Sequence, residues 1–217
     1  MAIFNIPEIY RPAIERMAFM PENEATAIRE ALASVQPSLK AQAMADQAKA
    51  SIKIAVPDLN AIVQALVSMN TTRLSAGVSA GDFAKDVSGA LARWTNKPVD
   101  SAALELRLVS LLCIEPLVLS ARAFDVQHEY EKLFASARIL TDVRPVLRTP
   151  GVEPVGAIIV HNLKITYFEG GAYKQIFIAL DNGDLSTLRK VLDRAELKTA
   201  GVEGIINKTG LSYFESK

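Results

Sequence analysis

The sequence predicts an α+β protein: an all-helical N-terminal domain over residues 1–149, then a small antiparallel β-hairpin or sheet with a C-terminal helix over residues 150–217. Three observations predict it. Apolar residues recur at helical spacing through the first two thirds of the chain, period-2 alternation replaces them after residue 155, and Pro145, Pro150, Gly151 and Pro154 punctuate the join.

The first helical stretches are separated by prolines. Pro7 and Pro12 precede a short helix carrying Ile14, Met17 and Ala18, and Pro21 resets the chain before a second helix with Ala25, Ile28, Leu32 and Val35 on one side. After Pro37 the run LKAQAMADQAKASIK combines high helix propensity with a thin stripe of Leu39, Met44, Ala48 and Ile52, which predicts a surface helix. Val56-Pro57-Asp58 breaks the chain again, and Leu59, Ile62, Val63, Leu66 and Val67 form a strong core-facing stripe. The Ser, Thr and Gly content of Asn70 to Gly81 reads as a polar connector, after which Phe83, Val87, Leu91 and Trp94 mark another helix, with Trp94 expected in the core.

Ser101 is a candidate cap for the helix containing VSLLCIEPL, and Pro116 should end or kink it near Leu112. A last long helix is expected from about Asp125 to Val143, on the spacing of Val126, Tyr130, Leu133, Phe134, Ala137 and Leu140, with Arg138 and Asp142 paired four apart on its surface.

The stretch from Val155 to Lys198 organises the rest. Ile159, His161, Leu163, Ile165 and Tyr167 fall on one face of a strand, and Val160, Asn162, Lys164 and Thr166 on the other. Glu169-Gly170-Gly171-Ala172 supplies the residues that a short hairpin turn needs, and Tyr173 to Leu180 reads as the return strand. There Ile176, Ile178 and Leu180 share a face while Phe177 and Ala179 make the other apolar too. Asp181 or Asp184 then caps a helix with a stripe of Leu185, Leu188, Val191, Leu192 and Ala195. Two strands and a helix are marginal alone, and open sheet edges leave main-chain groups unpaired. The unit therefore needs further sheet or a partner surface, with Ile165, Tyr167, Phe177, Ile178, Leu188 and Leu192 as interface candidates.

Composition narrows the functional classes. At 217 residues and 50% hydrophobic content a real core is available, and 24 basic against 24 acidic residues set up no field for nucleic acid or an acidic membrane. The single Cys113 forbids an internal disulfide and reads as a small buried hydrophobe. The opening MAIFNIPEIY lacks a secretory pattern, so a cytoplasmic address is expected. The apolar run from Leu104 to Leu119, interrupted by charges and Pro116, reads as a buried helix rather than a membrane span.

Chemistry is sparse. His128, His161 and Cys113 stand in no nucleophile context and are too few and too scattered for a zinc site, Gly170-Gly171 lies in a hairpin rather than a dinucleotide loop, and Asp181-Asn182-Gly183-Asp184 lacks the spacing of a calcium loop. No catalytic, metal or cofactor site is expected. Glu115, the acid in an apolar neighbourhood, and His161, on the apolar face of its strand, are the two candidate ligand contacts; a solvent-reaching or capping Glu115 and a hydrogen-bonded core His161 are the plainer readings. His128, between Gln127 and Glu129, is expected to be solvated.

The segment HNLKITYFEGGAYKQIFIALDNGDLSTLRKVLDRAELK, with the helical region before it, resembles the COMM-domain proteins. The tryptophan of that family's first strand is absent, and residues such as His161 or Leu163 occupy its place. The segment ARILTDVRPVL is also similar to part of an uncharacterised bacterial group. The COMM resemblance implies pairing of such domains through sheets and helices into multisubunit scaffolds, without enzymatic activity. The expectation is thus a protein–protein association module that forms homo-oligomers or pairs with a related chain. The alternative is a small-molecule-binding protein or enzyme, with a pocket near Glu115 and Cys113 or at the domain junction near His161.

Overall fold

A computed structural model describes residues 6–151, 153–211, 213 and 214. The chain is α+β, with helices first, then a three-stranded antiparallel sheet and a final helix. It divides into two compact units, one running through Gln127 and the other His128–Tyr213. The expected division between 149 and 150 instead falls in the connection between two strands of the second unit.

In the first unit, after a short turn at Glu8–Tyr10, the helices are α1 (Arg11–Phe19), α2 (Glu22–Ala33), α3 (Ala41–Ser51), α4 (Leu59–Ser75), α5 (Ala80–Trp94), α6 (Ser101–Leu112) and α7 (Glu115–His128). Pro12 sits in the first turn of α1, where a missing amide costs nothing. The expected stripes face inward: Ile14, Met17, Ile28, Leu32, Ile62, Leu66, Leu91, Leu108, Leu111, Leu112 and Leu117 are fully buried in one cluster. Removing such a side chain from water contributes about 1.5–3 kcal/mol each. Even the thin stripe of α3 buries Met44, Ala45 and Ala48, so that helix is more than a surface element. Trp94 is partly buried at the core margin, with the Arg11 guanidinium 5.3 Å from its ring centroid.

Two arginines tie helix ends together. Arg107 of α6 donates through Nη1 to the carbonyls of Met17 and Met20 at 2.9 Å, where α1 ends, and through Nη2 to Glu22 Oε2 at 2.8 Å, where α2 begins. Arg73, 8% exposed, donates to Asn70 Oδ1 at 2.9 Å and to the carbonyl of Leu112, the last residue of α6, at 3.2 Å. The expected connector at 70–81 is therefore mostly helix. Asn70 and Arg73 belong to the last turns of α4, because burying them against the end of α6 satisfies carbonyls that α6 cannot. Asp100, not Ser101, caps α6, accepting from the Ala103 amide at 3.0 Å. Pro116 falls in the first turn of α7, and α6 ends at Leu112 as the proline requires.

The second unit contains β1 (Leu133–Leu147), β2 (Pro154–Glu169), β3 (Ala172–Leu180) and α8 (Asn182–Thr209), with strand order β1-β2-β3. The long helix expected to Val143 is overturned: α7 stops at His128 and residues 133–147 form β1. The apolar positions read at helical spacing also alternate, and pairing with β2 from Leu133↔Phe168 to Leu147↔Pro154 decides between the two periods. Pro145 is tolerated because β1 is an edge strand. Arg138 and Asp142 stand about 13 Å apart along that strand, not on one helix face.

The β2–β3 hairpin matches its expected form. Glu169 pairs with Ala172, and Gly170 and Gly171 have φ of +59° and +84°, a two-residue turn with positive φ at both positions. Glu169 also accepts from Lys174 at 2.6 Å and pairs with Lys132 at 3.5 Å, fastening the start of β1 to the hairpin end. The Lys174 hydrogen bond, helped by both lysine charges, holds the Glu169 carboxyl below its ordinary 4.5, and the same bond raises Lys174 above 10.5.

Two outcomes follow from these ties. Arg107→Ala should cost about 2–3 kcal/mol, read as a lower denaturant midpoint at unchanged slope for the unfolding of the helical unit; an unchanged midpoint would mean the α1–α2–α6 tie is idle. For Glu169 the depressed native value means that its stabilisation is present above pH 4.5 and lost as pH falls through the lower native value, while that of Lys174 is present below pH 10.5 and lost above its raised value. A carboxyl-detected NMR titration should place Glu169 below 4.5, and Lys174→Met should move its midpoint upward.

Candidate functional site

Strand register places the side chains of the second unit on two chemically different faces. Along β2, Ile159, His161, Leu163, Ile165 and Tyr167 share one face; their partners on it are Val143, Thr141, Ile139, Ala137 and Phe134 from β1, and Leu180, Ile178, Ile176 and Lys174 from β3. This face is apolar apart from Thr141, His161 and Lys174. The opposite face is mixed: Arg144, Asp142, Arg138 and Ser136 from β1 and Asn162, Lys164 and Thr166 from β2 share it with Leu140, Ile158, Val160, Phe177 and Ala179. A bulge between Phe134 and Ser136 keeps the first residues of β1 in step with this division.

The apolar face is open. Phe134 is 70% exposed and Val143 69%, values that belong to surface residues although the alternation is that of a core strand. Ile139, Ile159, Ile176 and Ile178 are exposed as well, while Leu163, Ile165 and Tyr167 on the central strand are half-covered by their neighbours. Among the described residues, none beyond Ala121 is buried.

Helix α8 begins with a reciprocal cap: the Asp184 amide donates to Asp181 Oδ1 at 2.8 Å and the Asp181 amide donates to Asp184 Oδ2 at 3.0 Å. It ends at Gly210, whose φ of +73° is the left-handed conformation that closes a helix. Between these points it spans 28 residues, about 42 Å at the rise of an α-helix. No residue in it is buried. Leu188, Val191, Leu192, Val202 and Ile205 are all exposed, so the expected apolar stripe continues past Lys198 without a cover, while the exposed Leu197 lies on the other side of the helix.

The interface candidates thus divide by place. Ile165, Tyr167 and Ile178 lie together on the apolar sheet face, Leu188 and Leu192 lie on the uncovered helix, and Phe177 lies on the opposite sheet face, its ring 5.7 Å from Lys164 Nζ. His161 is a positioning residue: its Nδ1 is 2.9 Å from Thr141 Oγ1 and its Nε2 is 3.0 Å from Asn182 Oδ1, joining β1, β2 and the first residue of α8. It lies inside the second unit and not at the division between the units.

The other candidates are dispersed. Cys113 is exposed at the end of α6, contrary to the buried hydrophobe expected, because α6 turns its leucines inward and ends before the thiol can follow them. Glu115 is exposed in the first turn of α7, where a carboxylate faces the positive end of the helix; it is the solvent-reaching acid of the plainer reading. His128 is exposed at the end of α7. Clefts of about 320 Å³ beside Ala31 and Ile52, and of about 290 Å³ beside Arg138 and Lys164, contain none of these candidates.

Among the described residues, no group of three His, Cys, Asp or Glu side chains is gathered to hold a metal, and no helix is long and apolar enough to cross a membrane. Compared with known proteins, the chain matches no family model, and no curated protein matches it.

Proposed function

We propose that this chain is a non-enzymatic protein–protein association module that pairs with a second copy, or with a related chain, through the sheet and helix of His128–Tyr213. One observation carries the reading: this unit has regular strands, capped helix ends and an apolar face, yet among its described residues no side chain is buried. Ordering a residue costs about 1–2 kcal/mol in backbone entropy, and burial of apolar surface is the main term that offsets it. A partner that covers the face supplies the missing burial.

Surface area gives the scale. The chain exposes 14150 Å² at 23.5 kDa, whereas a folded monomer of that mass exposes about 9,800 Å². Counting each unit as a separate globule raises the expectation only to about 12,000 Å². Exposed apolar residues of the second unit, among them Phe134, Val143, Ile159 and Leu192, contribute to the exposed area. Exposed apolar patches larger than a few hundred Å² mark interaction surfaces.

Self-pairing fits the chemistry. A two-fold contact places the same surface on both partners, so an apolar sheet face or helix stripe meets apolar surface. With 24 basic and 24 acidic residues, two copies carry no net repulsion. The resemblance to COMM domains, which pair through sheets and helices, supports the same mode of association.

The test is light scattering on the size-fractionated full chain. A dimer should appear at twice 23.5 kDa, or 47 kDa, at about 0.1 mM and dissociate on dilution. Ile178→Asp would bury a carboxylate at each copy's apolar face, at a cost of about 3 kcal/mol or more, and should give monomer or an unfolded second unit while the helical unit keeps its helical circular dichroism. A monomeric wild-type chain whose strand amides resist hydrogen exchange at that concentration would sink the proposal.

A further inference from the structure

The face of the sheet opposite Ile165 and Ile178 holds a feature that association through the apolar face does not use. In the β1–β2 register Ser136 stands opposite Thr166 and Arg138 opposite Lys164, so two hydroxyls and two cations occupy adjacent rungs of one face. Opposed residues have Cα atoms about 4.5–5.5 Å apart. Together with Ala137, these four residues line a cleft of about 290 Å³.

Like charges directly opposite one another destabilise a sheet unless something neutralises them. Among the described residues no carboxylate pairs with Arg138 or Lys164, and no side chain hydrogen-bonds the hydroxyls of Ser136 or Thr166. The Lys164 ammonium lies 5.7 Å from the Phe177 ring, which leaves its three donors unspent. The acid of β1 on this face, Asp142, is four residues from Arg138, about 13 Å along the strand. The four groups therefore form a recess with two cations and two hydroxyls free to donate.

We propose that this recess binds the phosphoryl group of a soluble phosphomonoester. The planar fork of Arg138 suits two phosphoryl oxygens, Lys164 supplies a point charge, and the two hydroxyls donate to the remaining oxygen. A soluble ligand is favoured over a bilayer because the balanced charge of the chain, 24 basic against 24 acidic residues, provides no broad positive field to hold an anionic membrane.

Titration of the full-length protein by amide-detected NMR tests this, with inorganic phosphate and glycerol 3-phosphate as probes and sodium chloride matched in ionic strength. Both phosphates should saturate with a Kd of about 1–10 mM, moving amides of residues 136–138 and 164–166, while chloride should give no saturating shift. Arg138→Gln and Lys164→Gln should each weaken binding at least about tenfold; Arg138→Lys should weaken it less, keeping the charge but losing the fork. Non-saturating phosphate shifts, the same shifts with chloride, or wild-type affinity in both glutamine variants would overturn the proposal. So would tighter binding to phosphatidylcholine vesicles containing phosphatidylserine than to glycerol 3-phosphate, which would reassign the cations to a lipid surface. Unchanged circular dichroism of the Arg138→Lys variant separates loss of the recess from loss of the fold.

Discussion

The constraint on which the second unit depends is the distribution of burial along the chain. Among the described residues, every buried one lies at or before Ala121, within the helical unit, where seven helices share one apolar cluster. The sheet and α8 contain comparable apolar residues but no core. Main-chain pairing, a reciprocal cap and a glycine turn define the local geometry of these elements. None of those terms removes much apolar area from water, so they do not replace a core.

What was legible in the sequence follows from how local each determinant is. The β2–β3 hairpin and the start of α8 depend on neighbours in sequence: alternation on both strands, Gly170-Gly171 at the turn, and Asp181 with Asp184 three residues apart. β1 was not legible because its deciding partner is β2, with Thr141 opposite His161 twenty residues away and Leu133 opposite Phe168 thirty-five residues away. Its residues fit a helical stripe and a strand alternation alike. Ile139, Thr141 and Val143, all β-branched on one face, together with Pro145, were the signal that favoured the strand.

The helical unit shows the same division between local and non-local determinants. Apolar stripes predicted its core, while its buried polar groups escaped prediction because their partners lie far along the chain. Arg73 meets the carbonyl of Leu112 thirty-nine residues on, and Ser120 accepts from the Ser38 amide and donates to the carbonyl of Pro116. Composition made Asn70 to Ser75 resemble a loop, since polar residues are usually solvated; here they are spent on the open end of another helix. The interface candidates were legible as apolar positions. Whether they are covered was not, because exposure depends on what the rest of the chain fails to place over them.

The organisation of α8 bears on how pairing would proceed. Its direction is set at one end, by the Asp181–Asp184 cap and by the contact of His161 with Asn182, and not by burial along its length. With its ends set but no side chain buried, this helix depends on the surface a partner covers to offset the cost of ordering it, so on the association reading folding of the unit and pairing are coupled. The register of the sheet is likewise set locally, by the Gly170-Gly171 turn and by the clamp of Lys132 and Lys174 on Glu169, without burial of its side chains. On the association reading, the free energy drawn from the apolar face and the helix stripe must also offset the ordering of the unit. Arg138 and Lys164 stand side by side on the face opposite Ile165, Tyr167 and Ile178, so the surface they form is distinct from that apolar face.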